Sequence, residues 1–382
     1  MLPKTKESSI YEYLAALSPI LTMYRFPAIK PMEDVCMDSG KIKYFFVLPF
    51  FLVCLCLFGL PPKAHCELPG GIVSASWLAD NLSQPNLVVL DVRLSPQEYK
   101  FGHIPGAVCA FARWRQRLNG VPFMLPPLDY LKEKLREFGV NNKSDVIIYA
   151  DGHTLSAIAW ACRVAWTLDV LGHNSVAVLD GGISQWMYES RPLDTKIEHP
   201  PKGDFVPDLD VTKLATIDDV RFLGAKIVDM RVPARYFGIE KGRTTARYGH
   251  IPGSLSVPSG WLLVSRIPRL IKPREEIENI VYGAGLPEDK DKEIIVLCDT
   301  GHLASLGYWV FRYVMGYKKV RLFDGSMVEY CMYPLPLVRY SWPLSGTAMP
   351  RVTAPVKPAT PETKVLVPST QPEFTVEEDE GC

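Results

Sequence analysis

LDVRLSPQEYKFGHIPGAV, residues 90–108, returns later in the chain as VDMRVPARYFGIEKGRTTARYGHIPGSLSVP, residues 228–258. The pentapeptide GHIPG stands in both copies, at 102–106 and 249–253. Each copy is followed by a strand-like run, a helical pattern and a second strand-like run that ends in Asp-Gly. Self-similarity on this scale indicates that the chain contains two homologous halves.

Short β-branched runs alternate with helical stretches in each half. The runs are VVLDV (88–92), VIIYA (146–150) and VAVLD (176–180), then KIVDM (226–230), EIIVLC (293–298) and VRLFD (320–324). Helical spacing between them is clearest in LKEKLREFG (131–139) and LSAIAWACRVAWTL (155–168). This alternation predicts an α/β fold in which each half is a mainly parallel sheet flanked by helices. Functional groups are then expected at the carboxyl ends of the strands.

Composition excludes several classes of protein. The chain has 382 residues, 47% of them hydrophobic, which is enough for two ordinary cores. Its 42 basic and 42 acidic residues balance, so no nucleic-acid-binding footprint is indicated. Nine cysteines are present without a CxxC pair or a Cys/His cluster at zinc spacing, and neither a metal site nor a disulfide framework is predicted.

An uncharged apolar run, FFVLPFFLVCLCLFGL, occupies residues 45–60 and follows Lys41 and Lys43. Residues 37–66 therefore resemble a secretory signal peptide with translation starting at Met37, which makes residues 1–36 an upstream extension. An uncleaved N-terminal anchor is the alternative, and the protein would touch a membrane only through that segment. Either form predicts an exported protein of the periplasm or cell envelope.

The remaining boundaries follow from composition. Residues 67–195 and 210–344 are the two predicted domains, joined by a linker at 196–209 within a stretch rich in Pro and charge. Residues 345–382 form a Pro-rich acidic tail with the composition of a disordered segment.

Cys298 is the main candidate for chemistry. It ends a predicted strand and is followed by Asp299-Thr300-Gly301 and a helical pattern. Backbone N–H groups converge at such a turn, and the positive end of the helix dipole favours a thiolate there. The alternative is a packed core cysteine, which is the default for Cys109, Cys162 and Cys331.

These motifs together resemble the tandem-domain rhodanese family of thiosulfate and 3-mercaptopyruvate sulfurtransferases, over roughly residues 70–345. The resemblance rests on LDVR and VDMR, GHIPGA and GHIPGS, VLDGGISQW (178–186), CDTGHLAS (298–305) and LFDGSMVEY (322–330). The family places a nucleophilic cysteine first in a loop of its C-terminal domain, which implies this role for Cys298. Ala150 holds the matching position in the first domain, which is therefore expected to be non-catalytic.

The resemblance implies a ping-pong transfer. The Cys298 thiolate would take sulfur, or selenium, from a small anionic donor as a persulfide and pass it to a thiol or thioredoxin-like acceptor. No cofactor or metal is implied. Arg231 has a second interpretation, an ion pair with a nearby carboxylate. The expected substrate-binding residues are Arg231, Arg247, Asp299, Thr300, Gly301, His302 and Leu303.

The loop departs from both known donor types. Asp299 and Thr300 stand where thiosulfate enzymes tend to carry basic residues, and His302-Leu303 differs from the mercaptopyruvate pattern, so the donor stays open. Phosphatase or arsenate chemistry requires a loop longer by one residue, which argues against it here. A non-catalytic binding or scaffold protein of the cell envelope is the remaining alternative.

Overall fold

The computed structural model describes residues 68–222 and 224–342. The predicted signal peptide or anchor and the acidic tail lie outside the described residues. Among the described helices, none combines the length and hydrophobicity that crossing a lipid bilayer requires.

Twelve strands are described. They are β1 (Ile72–Val73), β2 (Leu87–Asp91), β3 (Val108–Cys109), β4 (Gln116–Leu118), β5 (Val121–Met124), β6 (Asp145–Tyr149), β7 (Val176–Leu179), β8 (Leu214–Ala215), β9 (Lys226–Asp229), β10 (Leu255–Ser256), β11 (Glu293–Leu297) and β12 (Lys319–Phe323).

Ten α-helices accompany them in the same part of the chain. They are α1 (Ala75–Asn81), α2 (Pro96–Phe101), α3 (Leu128–Glu137), α4 (Leu155–Val170), α5 (Gly182–Tyr188), α6 (Ile217–Arg221), α7 (Pro233–Phe237), α8 (Arg274–Gly283), α9 (His302–Trp309) and α10 (Ser326–Tyr330).

The two halves build the same sheet. The first sheet has the order β1-β7-β6-β2-β3 and the second, read from its other edge, β8-β12-β11-β9-β10. All pairings within these two sheets are parallel. Every residue of β6 is buried, as expected for a central strand covered on both faces. The α/β fold of two repeated, mainly parallel sheets that the sequence predicted is confirmed.

A small hairpin in the first domain falls outside this repeat. Strands β4 and β5 pair antiparallel, and Asn119 and Gly120 join them with φ of 49° and 81°. Positive φ at both turn residues is the signature of a type I′ turn, which Asn-Gly favours. The hairpin matters for the site because Arg115 immediately precedes β4 and Phe123 lies on β5.

The two domains share one core. Helix α4 is buried along nearly its whole length and packs against α9 of the second domain. Its apolar residues surround the helix instead of forming one stripe, which is typical of a helix covered on all sides. Trp166 of α4 and Trp309 of α9 belong to the same cluster of buried side chains. Helix α9, which packs on β11, is thereby fixed against the first domain.

A buried polar cluster reinforces that contact. Asp169 on α4 accepts a 2.6 Å hydrogen bond from the Tyr308 hydroxyl of α9, and its other carboxylate oxygen lies 2.6 Å from Nζ of Lys213. The indole Nε1 of Trp309 donates to the carbonyl of Gly71 at 2.6 Å. A carboxylate buried in this way requires its partners, because an unsatisfied charge in the interior is costly.

Replacing Tyr308 with Phe should lower the free energy of unfolding by about 1.5–3 kcal/mol, because it removes a hydrogen bond to a buried charged group. Chemical denaturation of the full chain measures this. Tyr188→Phe is the matched control, since the Tyr188 side chain is 66% exposed. Equal stability of the two variants would contradict the role assigned to the Asp169 contact.

Candidate active site

The structure places Cys298 directly after β11, at the carboxyl edge of the second sheet, where its side chain is buried. Backbone N–H groups of Thr300, Leu303 and Ala304 donate to its Sγ and lower the pKa of the thiol. Burial and the adjacent Asp299 carboxylate raise that pKa, and they outweigh the three donors. The predicted N–H cradle is present, but the enclosed thiol has a pKa above its ordinary value.

Gly301 lets the chain turn into α9. Its φ of +74° lies in the left-handed region, and a Cβ there would come within 2.7 Å of the Asp324 carbonyl. The same Cβ would lie 3.0 Å from Nη1 of Arg163, so any other residue would push the loop away from its supports. The tight turn lets the first N–H groups of α9 approach the sulfur.

Ser326 holds the loop from below. Its Oγ accepts hydrogen bonds from the N–H of Cys298 at 3.1 Å and of Gly301 at 3.0 Å, and donates to the carbonyl of Phe323 at 2.8 Å. Ser326 entered the sequence analysis only as part of the motif LFDGSMVEY (322–330), and this support was not predicted. The signal was present, because the first repeat carries Gly182 at the matching position.

Asp299 is neutralised by two arginines. Its carboxylate forms an ion pair with Arg235, and Nη1 of Arg231 lies 3.8 Å from its other oxygen. Burial raises the pKa of Asp299, while both arginines lower it. Asp299 therefore opposes the thiolate less than an isolated carboxylate would. Arg235 was not among the predicted site residues, because its partner lies 64 positions away along the chain.

Arg231 forms the ion pair that was the second interpretation of this residue. Its guanidinium is buried, lies 2.6 Å from Asp229 and donates to the carbonyl of Gly249 at 2.8 Å. Arg93 makes the same two contacts, with Asp91 and Gly102, in the domain that lacks the cysteine. The repetition indicates a structural role, in which the arginine ties the GHIPG segment of each repeat to the end of a strand.

Arg247 also donates to the chain itself. Its guanidinium bonds the carbonyls of Tyr333 at 3.0 Å and Leu335 at 2.7 Å. These contacts hold the loop before GHIPG to the segment that follows α10. Binding of a donor anion by Arg247 stays a prediction, and it would compete with these two hydrogen bonds.

His302 faces the first domain. Its Nε2 lies 3.0 Å from the Ser156 hydroxyl, and its ring is tilted against Trp160 at 5.9 Å between centroids. Burial, with Arg115 and Arg163 nearby, lowers the pKa of His302 to about 3. The imidazole is therefore neutral at physiological pH and can act only as a neutral hydrogen-bonding group.

Two arginines of the first domain reach this site. Arg163 is fully buried on α4, forms an ion pair with Asp324 and lies over Trp166 at 4.5 Å. Arg115 lies over the rings of Trp160 at 4.7 Å and Phe123 at 5.0 Å. The first domain was expected to be non-catalytic, and neither arginine was among the predicted site residues. Nothing local in the sequence shows which distant residue an arginine will meet.

A cavity of about 330 Å³ lies between the two domains, beside Thr300 of the loop that follows Cys298. Thr300 and His302 line it from the second domain. Leu303, on α9, is partly buried and packs against the shared core. The first-domain lining includes Ala150, at the position that matches Cys298. The other lining residues are Arg93, Leu94, Glu98, Arg115, Asp151, Thr154, Ser156, Ala157 and Trp160.

Comparison with known proteins gives the family. The model for the rhodanese-like domain matches residues 74–189 and again residues 214–333. The chain belongs to the rhodanese family. A putative thiosulfate sulfurtransferase of Synechococcus elongatus is 32% identical over 72% of this chain and 88% of its own length. The 3-mercaptopyruvate sulfurtransferase of Escherichia coli is 32% identical over 68% of this chain and 94% of its own length.

Solved structures agree with this assignment. The 3-mercaptopyruvate sulfurtransferase SseA of Escherichia coli matches with a TM-score of 0.59 and 30% identity, over 67% of this chain and 98% of that one. EanB in complex with hercynine matches with a TM-score of 0.61 over 70% of this chain and 69% of that one. Its sequence identity of 20% means that this match shows a common fold and nothing more. The resemblance to tandem rhodaneses that the sequence indicated is confirmed.

Replacing Asp299 with Asn should lower the pKa of Cys298, because the nearest negative charge is removed while Arg231 and Arg235 remain. Alkylation of Cys298 by iodoacetamide at pH 7 should then be at least about threefold faster, and its pH midpoint should move down. Asp151→Asn, the matching change in the first domain, is the control. A midpoint that does not move would contradict the opposition between Asp299 and the thiolate.

Replacing Ser326 with Ala should displace the loop, because the N–H groups of Cys298 and Gly301 lose their acceptor. The free energy of unfolding should fall by about 1–3 kcal/mol, the cost of leaving buried donors unsatisfied. The pH midpoint of Cys298 alkylation should also rise. Ser184→Ala, which removes a hydroxyl bonded to the first domain's loop, should affect stability without moving that midpoint.

Proposed function

We propose that the protein is a sulfurtransferase that carries sulfane sulfur on Cys298 as a persulfide. The observation that supports this most directly is the Sγ of Cys298 at a strand end, with three backbone N–H groups directed at it. A cysteine that only packs in a core does not require three hydrogen-bond donors directed at its sulfur. The names of the relatives, which are sulfurtransferases, favour this function over a non-catalytic scaffold.

The proposed transfer has two steps, one from the donor to Cys298 and one from Cys298 to the acceptor. The Cys298 thiolate attacks the outer sulfur of a donor such as thiosulfate, the S–S bond of the donor breaks, and sulfite leaves with the bonding pair. With a mercapto-keto acid the C–S bond breaks instead, and the carbon that leaves takes the proton of the donor thiol. In the second step an acceptor thiol takes the outer sulfur, and the Cys298 thiolate is regenerated.

Loop geometry suits the intermediate. An S–S bond of about 2 Å extends the reactive atom beyond the buried Sγ, toward the cavity that Thr300 and His302 line. N–H groups that donate to the thiolate can also serve a persulfide anion, which carries the same charge. The neutral His302 and the hydroxyl of Thr300 add hydrogen-bonding groups without adding charge.

The donor class follows from size and charge. A cavity of about 330 Å³ suits a small molecule, and arginines surround the loop, so a small sulfur-containing anion is the proposed donor. Thiosulfate-like and mercaptopyruvate-like compounds both meet this description, and a selenium analogue could follow the same path. A thiol, free or in a thioredoxin-like protein, is the proposed acceptor.

Location is part of the proposal. The apolar run at residues 45–60 supports export to the periplasm or cell envelope, with the segment either cleaved or kept as an anchor. An extracytoplasmic enzyme would meet inorganic sulfur anions and envelope thiols.

Incubation with thiosulfate or 3-mercaptopyruvate should add one sulfur, about 32 Da, to the intact protein, because the persulfide is covalent. Mass spectrometry before and after a thiol acceptor is added measures its formation and its loss. Cys298→Ser should abolish the adduct. Cys331→Ser, which removes another buried free cysteine of the second domain, should retain it.

No adduct with either donor, on a folded protein whose Cys298 still alkylates, would contradict the proposed function and favour the scaffold. An adduct that persists in Cys298→Ser would contradict the assignment of the nucleophile.

A further inference from the structure

Arg115 differs from the other arginines at this site in what its guanidinium contacts. Arg163 is paired with Asp324, Arg231 with Asp229 and Arg235 with Asp299. Arg247 donates to two carbonyls. Within residues 68–222 and 224–342, no carboxylate lies within salt-bridge distance of Arg115.

Two aromatic faces hold Arg115 in place. Trp160 and Phe123 lie 4.7 and 5.0 Å from its guanidinium carbon. Such cation–π contacts stabilise the charge over the ring faces and leave the N–H groups at the edge of the guanidinium free for an anion. The planar fork of those N–H groups matches a carboxylate or sulfonate.

Its position links the guanidinium to the sulfur. Arg115 lines the interdomain cavity together with Thr300, and the N–H of Thr300 donates to Sγ of Cys298. Cys298 is not among the residues that line the cavity, so a donor held here would reach the sulfur past Thr300, with its charged end at Arg115. The neighbouring His302 is neutral and does not compete for the anion.

We propose that Arg115 of the non-catalytic first domain binds the anionic end of the sulfur donor, a carboxylate or sulfonate group. This inference rests on the proposed sulfur transfer. It assigns to the first domain the charge recognition that sequence reasoning gave to Arg231 and Arg247. The second domain then supplies the nucleophile and its cradle.

The electrostatic surroundings are consistent with this role. Burial and Arg163 lower the pKa of Arg115, whereas the thiolate of Cys298 and Asp324 raise it. An arginine remains charged under these influences. The charge on the sulfur and the charge of Arg115 thus lie close enough to influence each other.

Two alkylating probes test the inference without relying on sulfur transfer. Iodoacetate is anionic and iodoacetamide is neutral, and both react with the Cys298 thiolate, so the ratio of their rates isolates anion binding from thiol pKa. Peptide mass spectrometry assigns the reaction to Cys298. Arg115→Met should lower the iodoacetate-to-iodoacetamide ratio about tenfold, the scale of a lost charged hydrogen bond.

Two variants accompany it. Arg115→Lys keeps the charge and should retain most of the ratio, which excludes misfolding as the cause. Arg113→Met is the matched control, because Arg113 also lies over an aromatic ring, that of Tyr130 at 4.8 Å, but is not part of the cavity lining. It should leave the ratio unchanged. In sulfur transfer, Arg115→Met should raise KM for thiosulfate or mercaptopyruvate more than it lowers kcat.

An unchanged ratio in Arg115→Met would overturn the inference even if Cys298 forms a persulfide. A reduced ratio on a protein that forms no persulfide with either donor would support the anion site and contradict the sulfurtransferase proposal. The two failures are therefore distinguishable.

Discussion

The contact between the Cys298 sulfur and the N–H groups at the start of α9 is the constraint on which the site depends. Helix α9 has no side-chain cap at its N-terminus, and the N–H groups of Leu303 and Ala304 donate to Sγ instead. In the first domain the corresponding helix α4 is capped by Thr154, whose hydroxyl accepts from Ala157 at 3.0 Å. One repeat satisfies its helix end with a side-chain cap, whereas the other directs the same N–H groups at the Cys298 sulfur.

That arrangement has an electrostatic cost, and the surroundings offset part of it. A fully buried thiolate loses its hydration, and Asp299 next to it adds like-charge repulsion. Arg231 and Arg235 compensate Asp299 from the second domain, while Arg163 compensates Asp324 and Arg115 remains unpaired among the described residues. Much of the positive charge near the sulfur thus originates in the repeat that has Ala150 at the position of Cys298. The first domain thus contributes charged groups to the site although Ala150 stands at the position of the cysteine.

The repeat made the fold predictable because each half carries the same order of strands, helices and turns. The position of Cys298 between a strand and a helix was predictable too, because an apolar run precedes it and a glycine turn with a helical pattern follows it. Ser326 could have been found by comparing the repeats, because Gly182 stands in its place. Arg115 and Arg163 could not, since their roles arise from packing between domains, which neither periodicity nor local motif encodes. Arg231 shows that a motif can also mislead. It lies near the Cys298 loop and was predicted to bind substrate, but its guanidinium donates to Asp229 at the end of β9.

Packing between the domains and the geometry of the Cys298 loop depend on the same two helices. The core is continuous through α4 and α9, and the same two helices carry Arg163 and the N–H donors of Cys298. Asp169 ties them again at their far ends through Tyr308. A shift of α4 would therefore move Arg163 relative to Gly301, whose backbone has no room to follow. Since close-packed interiors transmit such displacements, the buried helix pair maintains both the stability of the fold and the position of the sulfur.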